Sequence, residues 1–150
     1  MLNKFFPQQD IHEYKGNQIA KWVFAILTII TIIRSLIHIF ASDGGAQSIA
    51  TIPLDTFTVN GGATVILIFA YWGLSQLILG IFYGIVLLRY QALIPLMYLS
   101  IIVEYVVRVV IALAKPIETV GTAPGEIANY IIPPLAIVML FLSLRHTNKS

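Results

Sequence analysis

The chain has 150 residues, of which 58% are apolar and only 11% charged, and a formal charge of +2. A soluble domain carries about a quarter charged residues, so this composition excludes an ordinary water-soluble globule, and the mean hydropathy of +0.87 makes lipid the main solvent. The absence of cysteine excludes disulfides, thiolate metal sites and cysteine nucleophiles, and the scattered lysines and arginines form no nucleic-acid-binding patch.

Residues 1–18 mix Lys4, Asp10, Glu13 and Lys15 with Phe5, Phe6, Ile11 and Tyr14. They lack the short basic start of a signal peptide. The first span is therefore expected to be retained, with this tail either resting on the inner membrane surface or loosely ordered. Roughly 20 mainly apolar residues cross a bilayer core, and four segments approach that length: 19–40, 62–88, 93–114 and 127–144. Lipid tolerates only helices or closed barrels, and no ten-residue alternation is present. The expected fold is all-α: a single membrane domain over residues 1–150, built as a bundle of four transmembrane helices.

The connections agree. Asp43-Gly44-Gly45, Pro53 and Asn60-Gly61-Gly62 punctuate the first loop, and Pro116, Gly121, Pro124 and Gly125 the third. Only Arg89-Tyr90-Gln91-Ala92 separates the second and third spans, which predicts a tight antiparallel hairpin. Lys4, Lys15, Lys21, Arg89, Arg145 and Lys149 fall on one side, and Lys115 alone on the other. By the positive-inside rule both termini face the cytoplasm of a cell membrane. In the fourth span Pro133-Pro134 should break the hydrogen-bond ladder and act as a hinge or a fixed bend, with Asn129 and Tyr130 recovering part of the lost bonding.

The two halves, about 19–88 and 93–144, repeat. Arg34 lies near the outer end of the first span and Arg108 near that of the third. Thr51-Ile52-Pro53-Leu54-Asp55 then matches Thr122-Ala123-Pro124-Gly125-Glu126. Threonine and proline before an acid suit a helix start, so Asp55 and Glu126 are candidate outer-end partners for the arginines.

Ionisable groups inside a span are costly unless paired or wetted, and mark candidate sites. At 100° per residue, Thr28, Thr31, Arg34, Ser35 and His38 share one stripe. Trp72, Gln76 and Tyr83 share a face with Gly73 and Gly80, and Gly80/Gly84 make a small-x-x-x-small step for close helix packing. Met97, Ser100, Glu104, Arg108 and Lys115 share another face, with Tyr105 at its edge and Glu104 four residues before Arg108. These faces should converge on an outer-half pocket walled by Arg34, His38, Trp72, Gln76, Glu104, Tyr105 and Arg108.

Such a cluster can be a self-satisfied structural network. It can be a pocket whose surplus positive charge and aromatic wall suit a small amphipathic or anionic molecule. It can also hold a His38–Glu104 acid–base pair. The expectation is a non-enzymatic protein that binds or moves such a molecule, without metal or cofactor. Membrane lipid is one partner, and a homo-oligomer or membrane complex is open. The runner-up is an accessory subunit docking through the Gly73/Gly80/Gly84 face, and the third reading is a membrane enzyme. The four spans, with Arg34, Asp43-Gly44 and Asp55 in one half and Arg108 and Pro124-Gly125-Glu126 in the other, are similar to the DoxX-like group of small bacterial membrane proteins. That resemblance implies a four-helix membrane fold and little about activity.

Overall fold

The computed structural model describes residues 14–145, so Lys4, Phe5, Phe6, Asp10, Ile11, Glu13 and Lys149 lie outside the described residues. Four helices form: α1, Gln18–Phe40; α2, Val59–Arg89; α3, Ile94–Ala114; and α4, Pro124–Leu144. Each is long and apolar enough to cross a membrane. Short 3-10 turns sit at Leu54–Thr56 and Gln91–Leu93. The 31 residues of α2 span about 46 Å at 1.5 Å per residue. That exceeds the roughly 30 Å hydrocarbon core, so α2 tilts or projects past it.

Local chemistry sets the helix starts. The Asn17 side chain accepts the Ile19 N–H at 2.8 Å, and the Thr58 hydroxyl accepts the Gly61 N–H at 3.1 Å; each satisfies an otherwise orphan donor. The Thr58 cap starts α2 before Asn60-Gly61, which the sequence reading placed in the loop. The Thr-x-Pro-x-acid segment correspondingly opens different structures in the two halves. Pro124 stands in the first turn of α4 with Glu126 behind it, whereas Pro53 precedes the 3-10 turn that contains Asp55. Asp55 is therefore not at an α-helix start.

The core lies toward the end where α1 begins and α4 finishes, here termed the terminal end. Ala20 and Phe24 of α1, Tyr83 and Val86 of α2, Ile94, Tyr98 and Ile101 of α3, and Ala136 and Met139 of α4 bury one another. Phe24 meets Tyr83 and Tyr98 edge-on, with ring centroids 5.5 and 5.7 Å apart. The buried Tyr98 hydroxyl donates to the Ala20 carbonyl at 2.6 Å. The chain entering α1 is tied to the end of α4 by the Asn17 N–H, which donates to the Leu142 carbonyl at 3.2 Å.

The main packing is within the hairpins, α1 against α2 and α3 against α4. The short turn after Arg89 does make α2 and α3 antiparallel, but their backbones approach far less than the tight hairpin expected from it. Closeness between α1 and α2 comes from glycine: a Cβ on Gly73 would lie 2.7 Å from the His38 Cβ and 3.0 Å from the Ser35 carbonyl, and one on Gly80 would lie 2.9 Å from Ile32 Cγ1.

At the opposite, loop end the hairpins meet through their loops. The Val120 N–H donates to the Thr51 carbonyl at 2.9 Å, and the Thr51 hydroxyl donates to the Gly121 carbonyl at 2.8 Å. Thr51 holds a left-handed φ of +57°, which costs a β-branched residue about 1–2 kcal/mol. Large apolar side chains such as Ile30, Leu67, Val110, Ile131 and Phe141 point outward on all four helices. A surface this apolar has lipid as its natural solvent.

Helix α4 runs through Pro133-Pro134 without interruption. The prolines have no N–H for the carbonyls of Asn129 and Tyr130, so two bonds of the ladder are missing there, while those on either side carry the helix onward as one span. The Asn129 Oδ1, itself an acceptor and so no partner for the freed carbonyls, is buried without a hydrogen-bond partner.

Candidate cationic site in the membrane

Of the polar stripe on α1, three hydroxyls are satisfied within their own helix. Thr28 donates to the Phe24 carbonyl at 2.8 Å, Thr31 to Leu27 at 2.9 Å and Ser35 to Thr31 at 2.6 Å. They make the buried side of α1 narrow and ask nothing of neighbouring helices. Arg34 and His38 are the stripe members that reach across.

Arg34 Nη2 donates to Gln76 Oε1 at 2.7 Å, and Nη1 reaches the Tyr105 hydroxyl at 3.4 Å. Gln76, buried on α2, passes the connection on: its Nε2 donates to Glu104 Oε1 on α3 at 3.0 Å. The same carboxylate oxygen pairs with Arg108 Nη2 one turn further along α3. The amide of Gln76 thus faces a cation with its oxygen and an anion with its NH2. The opposite orientation would set donor against donor and acceptor against acceptor. The chain Arg34–Gln76–Glu104–Arg108 therefore joins α1, α2 and α3 where the backbones of α2 and α3 have separated.

Trp72 is the aromatic centre of the cluster. The Arg34 and Arg108 guanidinium carbons lie 5.8 and 5.0 Å from its ring centre, and Arg108 also lies 5.0 Å from that of Tyr105, within cation–π range. The His38 ring stands 4.7 Å from Trp72, and Phe69 packs near-perpendicular to both. Trp72 is 36% exposed, so one side of the cluster opens outward. Phe69 was not singled out from the sequence. Its signal was the spacing 69, 72, 73, 76, one α2 face read one turn further.

His38 Nδ1 lies 2.7 Å from the Gly44 carbonyl. A carbonyl only accepts, so Nδ1 carries the proton and donates. His38 thereby fastens the loop after α1, whose Gly44 and Gly45 adopt left-handed φ values of +61° and +71°. The acid–base pair considered from the sequence does not assemble: Glu104 is engaged by Gln76 and Arg108, and His38 by Gly44.

Asp43 completes that loop by accepting the backbone N–H groups of Gly45, Gln47 and Ser48 at 2.9, 3.1 and 2.7 Å. Partial burial alone would raise its pKa, but these hydrogen bonds from Ser48, Gly45 and Gln47 outweigh it and hold the carboxyl down at about 2.

The other candidates stand apart. Asp55 accepts from the Gln47 side-chain amide at 3.3 Å and Glu126 lies in the first turn of α4. Among the described residues neither pairs with Arg34 or Arg108, whose acidic partner is Glu104, directly for Arg108 and through Gln76 for Arg34. Lys115 caps α3 and is exposed. Gly73 and Gly80 are covered by α1, while a Cβ on Gly84 would meet nothing within 4 Å. The close packing step against α1 is therefore Gly73/Gly80, and Gly84 of the same helix is left uncovered by it. Among the described residues no group of histidine and acidic side chains could hold a metal ion. A groove of about 440 Å3 on the outward side of α1 (Ile33, Leu36, Ile37, Phe40, Ala41) and a crevice of about 230 Å3 at the terminal end involve none of the cluster residues.

No protein-family model, no curated protein and no solved structure matches this chain. The fold and the cluster define a four-span membrane chain with two arginines, one glutamate and a tryptophan gathered between its helices.

Proposed function

We propose that this protein binds or moves a small anionic or amphipathic molecule at the Arg34–Trp72–Arg108 cluster. The observation that carries the reading is the charge balance: the cluster holds two guanidiniums and one carboxylate, which pairs with Arg108 alone, and both guanidiniums lie against Trp72. A self-satisfied structural network would end neutral. One uncompensated cation among apolar helices costs several kcal/mol unless water or an anion reaches it. On this reading the loop end faces the outside of a bacterial cytoplasmic membrane and both termini face the cytoplasm, because Lys15, Lys21, Arg89 and Arg145 gather at the terminal end. The two helical hairpins descend from one duplicated unit related to the DoxX-like group, and Arg34 and Arg108 are its paired arginines.

The test is purification of the full chain in mild detergent, followed by extraction and mass spectrometry of retained small molecules. The wild type should carry an anionic amphipathic compound that R34Q/R108Q loses while keeping its fold. The same molecules on both proteins, or none on either, would refute the reading and leave a structural network.

A further inference from the structure

The two arginines are not equivalent. Arg108 is neutralised directly by Glu104, whereas Arg34 is held by neutral groups, the amide oxygen of Gln76 and, at the long distance of 3.4 Å, the Tyr105 hydroxyl. Its Nε is buried with no hydrogen-bond partner, beside the Nη2 whose bond to Gln76 uses one of its two N–H groups. A buried donor left without a partner in a low-dielectric interior carries its full desolvation cost, and the cost is greater when the group is charged. Nε and the neighbouring Nη form the side of a guanidinium that takes two oxygens of one anion in parallel.

Glu104 cannot fill that place, because Gln76 stands between it and Arg34 while bonded to both. The intervening amide separates a satisfied ion pair, Glu104–Arg108, from an unsatisfied cation.

We infer that the Nε edge of Arg34 seats one singly charged oxyanion, a carboxylate or a phosphodiester, whose apolar part lies along Trp72. The inference rests on the proposed anion-binding reading and gives it a ligand class and a seat. One negative charge neutralises the cluster, whereas a dianion would leave it net negative in hydrocarbon. The exposed side of Trp72 gives an alkyl chain a route out toward lipid. A lipid-borne oxyanion and a small free one share this chemistry.

The chain carries its own reporter, since its tryptophans are Trp22 and Trp72. In the full-length W22F protein, held in dodecyl maltoside micelles that contain no phosphate or carboxylate, Trp72 fluorescence is titrated with dibromostearate and with the uncharged dibromostearyl alcohol. Bromine quenches a nearby indole. The expected result is saturable quenching by the acid at concentrations about tenfold or more below those for the alcohol. R34Q and R34K should each weaken it about tenfold or more, because lysine keeps the charge but lacks the two-pronged edge. E104Q, which removes the internal anion, should strengthen it.

Reversal by acetate, a small free monoanion, would support a seat that also takes free oxyanions, and no reversal would support one that needs the chain. Charge-dependent quenching lost in R108Q but retained in R34Q and R34K would overturn the Arg34 seat and leave the anion-binding reading intact. Equal quenching by acid and alcohol in the unmutated cluster would overturn both, and needs no variant to fold.

Discussion

Replacing Gly73 with alanine tests how the cluster is positioned. The added methyl would sit 2.7 Å from the His38 Cβ and 3.0 Å from the Ser35 carbonyl. One neighbour is the root of a side chain and the other is backbone, so neither yields by a rotamer change. Relief requires α1 and α2 to separate, and overpacking of this kind costs about 1–3 kcal/mol. Alanine regains about 0.5–1 kcal/mol of helix propensity over glycine, so the net expectation is a loss of up to about 2 kcal/mol. Gly84 is the matched control on the same helix, with no atom within 4 Å of its added Cβ, and G84A should be neutral or slightly stabilising. Reversible unfolding of both variants in mixed micelles measures the difference, expected near 1–3 kcal/mol. Separation of the helices should also shift the fluorescence of Trp72, which neighbours Gly73. Equal stability of G73A and G84A would refute the argument that Gly73 sets the α1–α2 distance.

Other consequences follow from the same geometry. Q76L removes two hydrogen bonds to charged groups and should cost about 1–3 kcal/mol by the same unfolding measurement, with the order of thermal inactivation Q76L before wild type. The Asp43 carboxyl is depressed to about 2, below its unfolded value near 4. Its contribution is therefore present above about pH 4 and is lost as pH falls from about 4 to 2. An unfolding series across that range should show the slope in wild type and a flatter one in D43N. At Thr51, valine keeps the left-handed strain and loses the hydroxyl bond to Gly121, whereas glycine loses the bond but relieves the strain. T51V should be less stable than T51G, by about 1 kcal/mol after the entropy cost of glycine is set against the relief.

Much of the architecture was legible in the sequence because lipid imposes a simple rule: long apolar runs become helices. Span positions followed to within a few residues, and helical periodicity put Arg34, Gln76, Glu104 and Arg108 on faces able to meet. Where local chemistry competed, reading by composition fell short. Asn60-Gly61 looks like a turn, but the Thr58 cap draws it into α2.

What the tertiary structure alone decided is pairing. Periodicity assigns a residue to a face and says nothing of which atom on another helix it will touch. Arg34 had an outer-end acid such as Asp55 as its prospective partner, and it meets Gln76, because glycines 73 and 80 bring α2 against α1 while α3 stands further off. His38 was grouped with Glu104, yet it turns to the carbonyl of Gly44, a loop atom with no hydropathy signal. Hydrophobicity determines how the chain meets the bilayer, residue by residue; directional hydrogen bonds between side chains far apart in sequence form only after the helices pack, and they decide which charge in the membrane is left over.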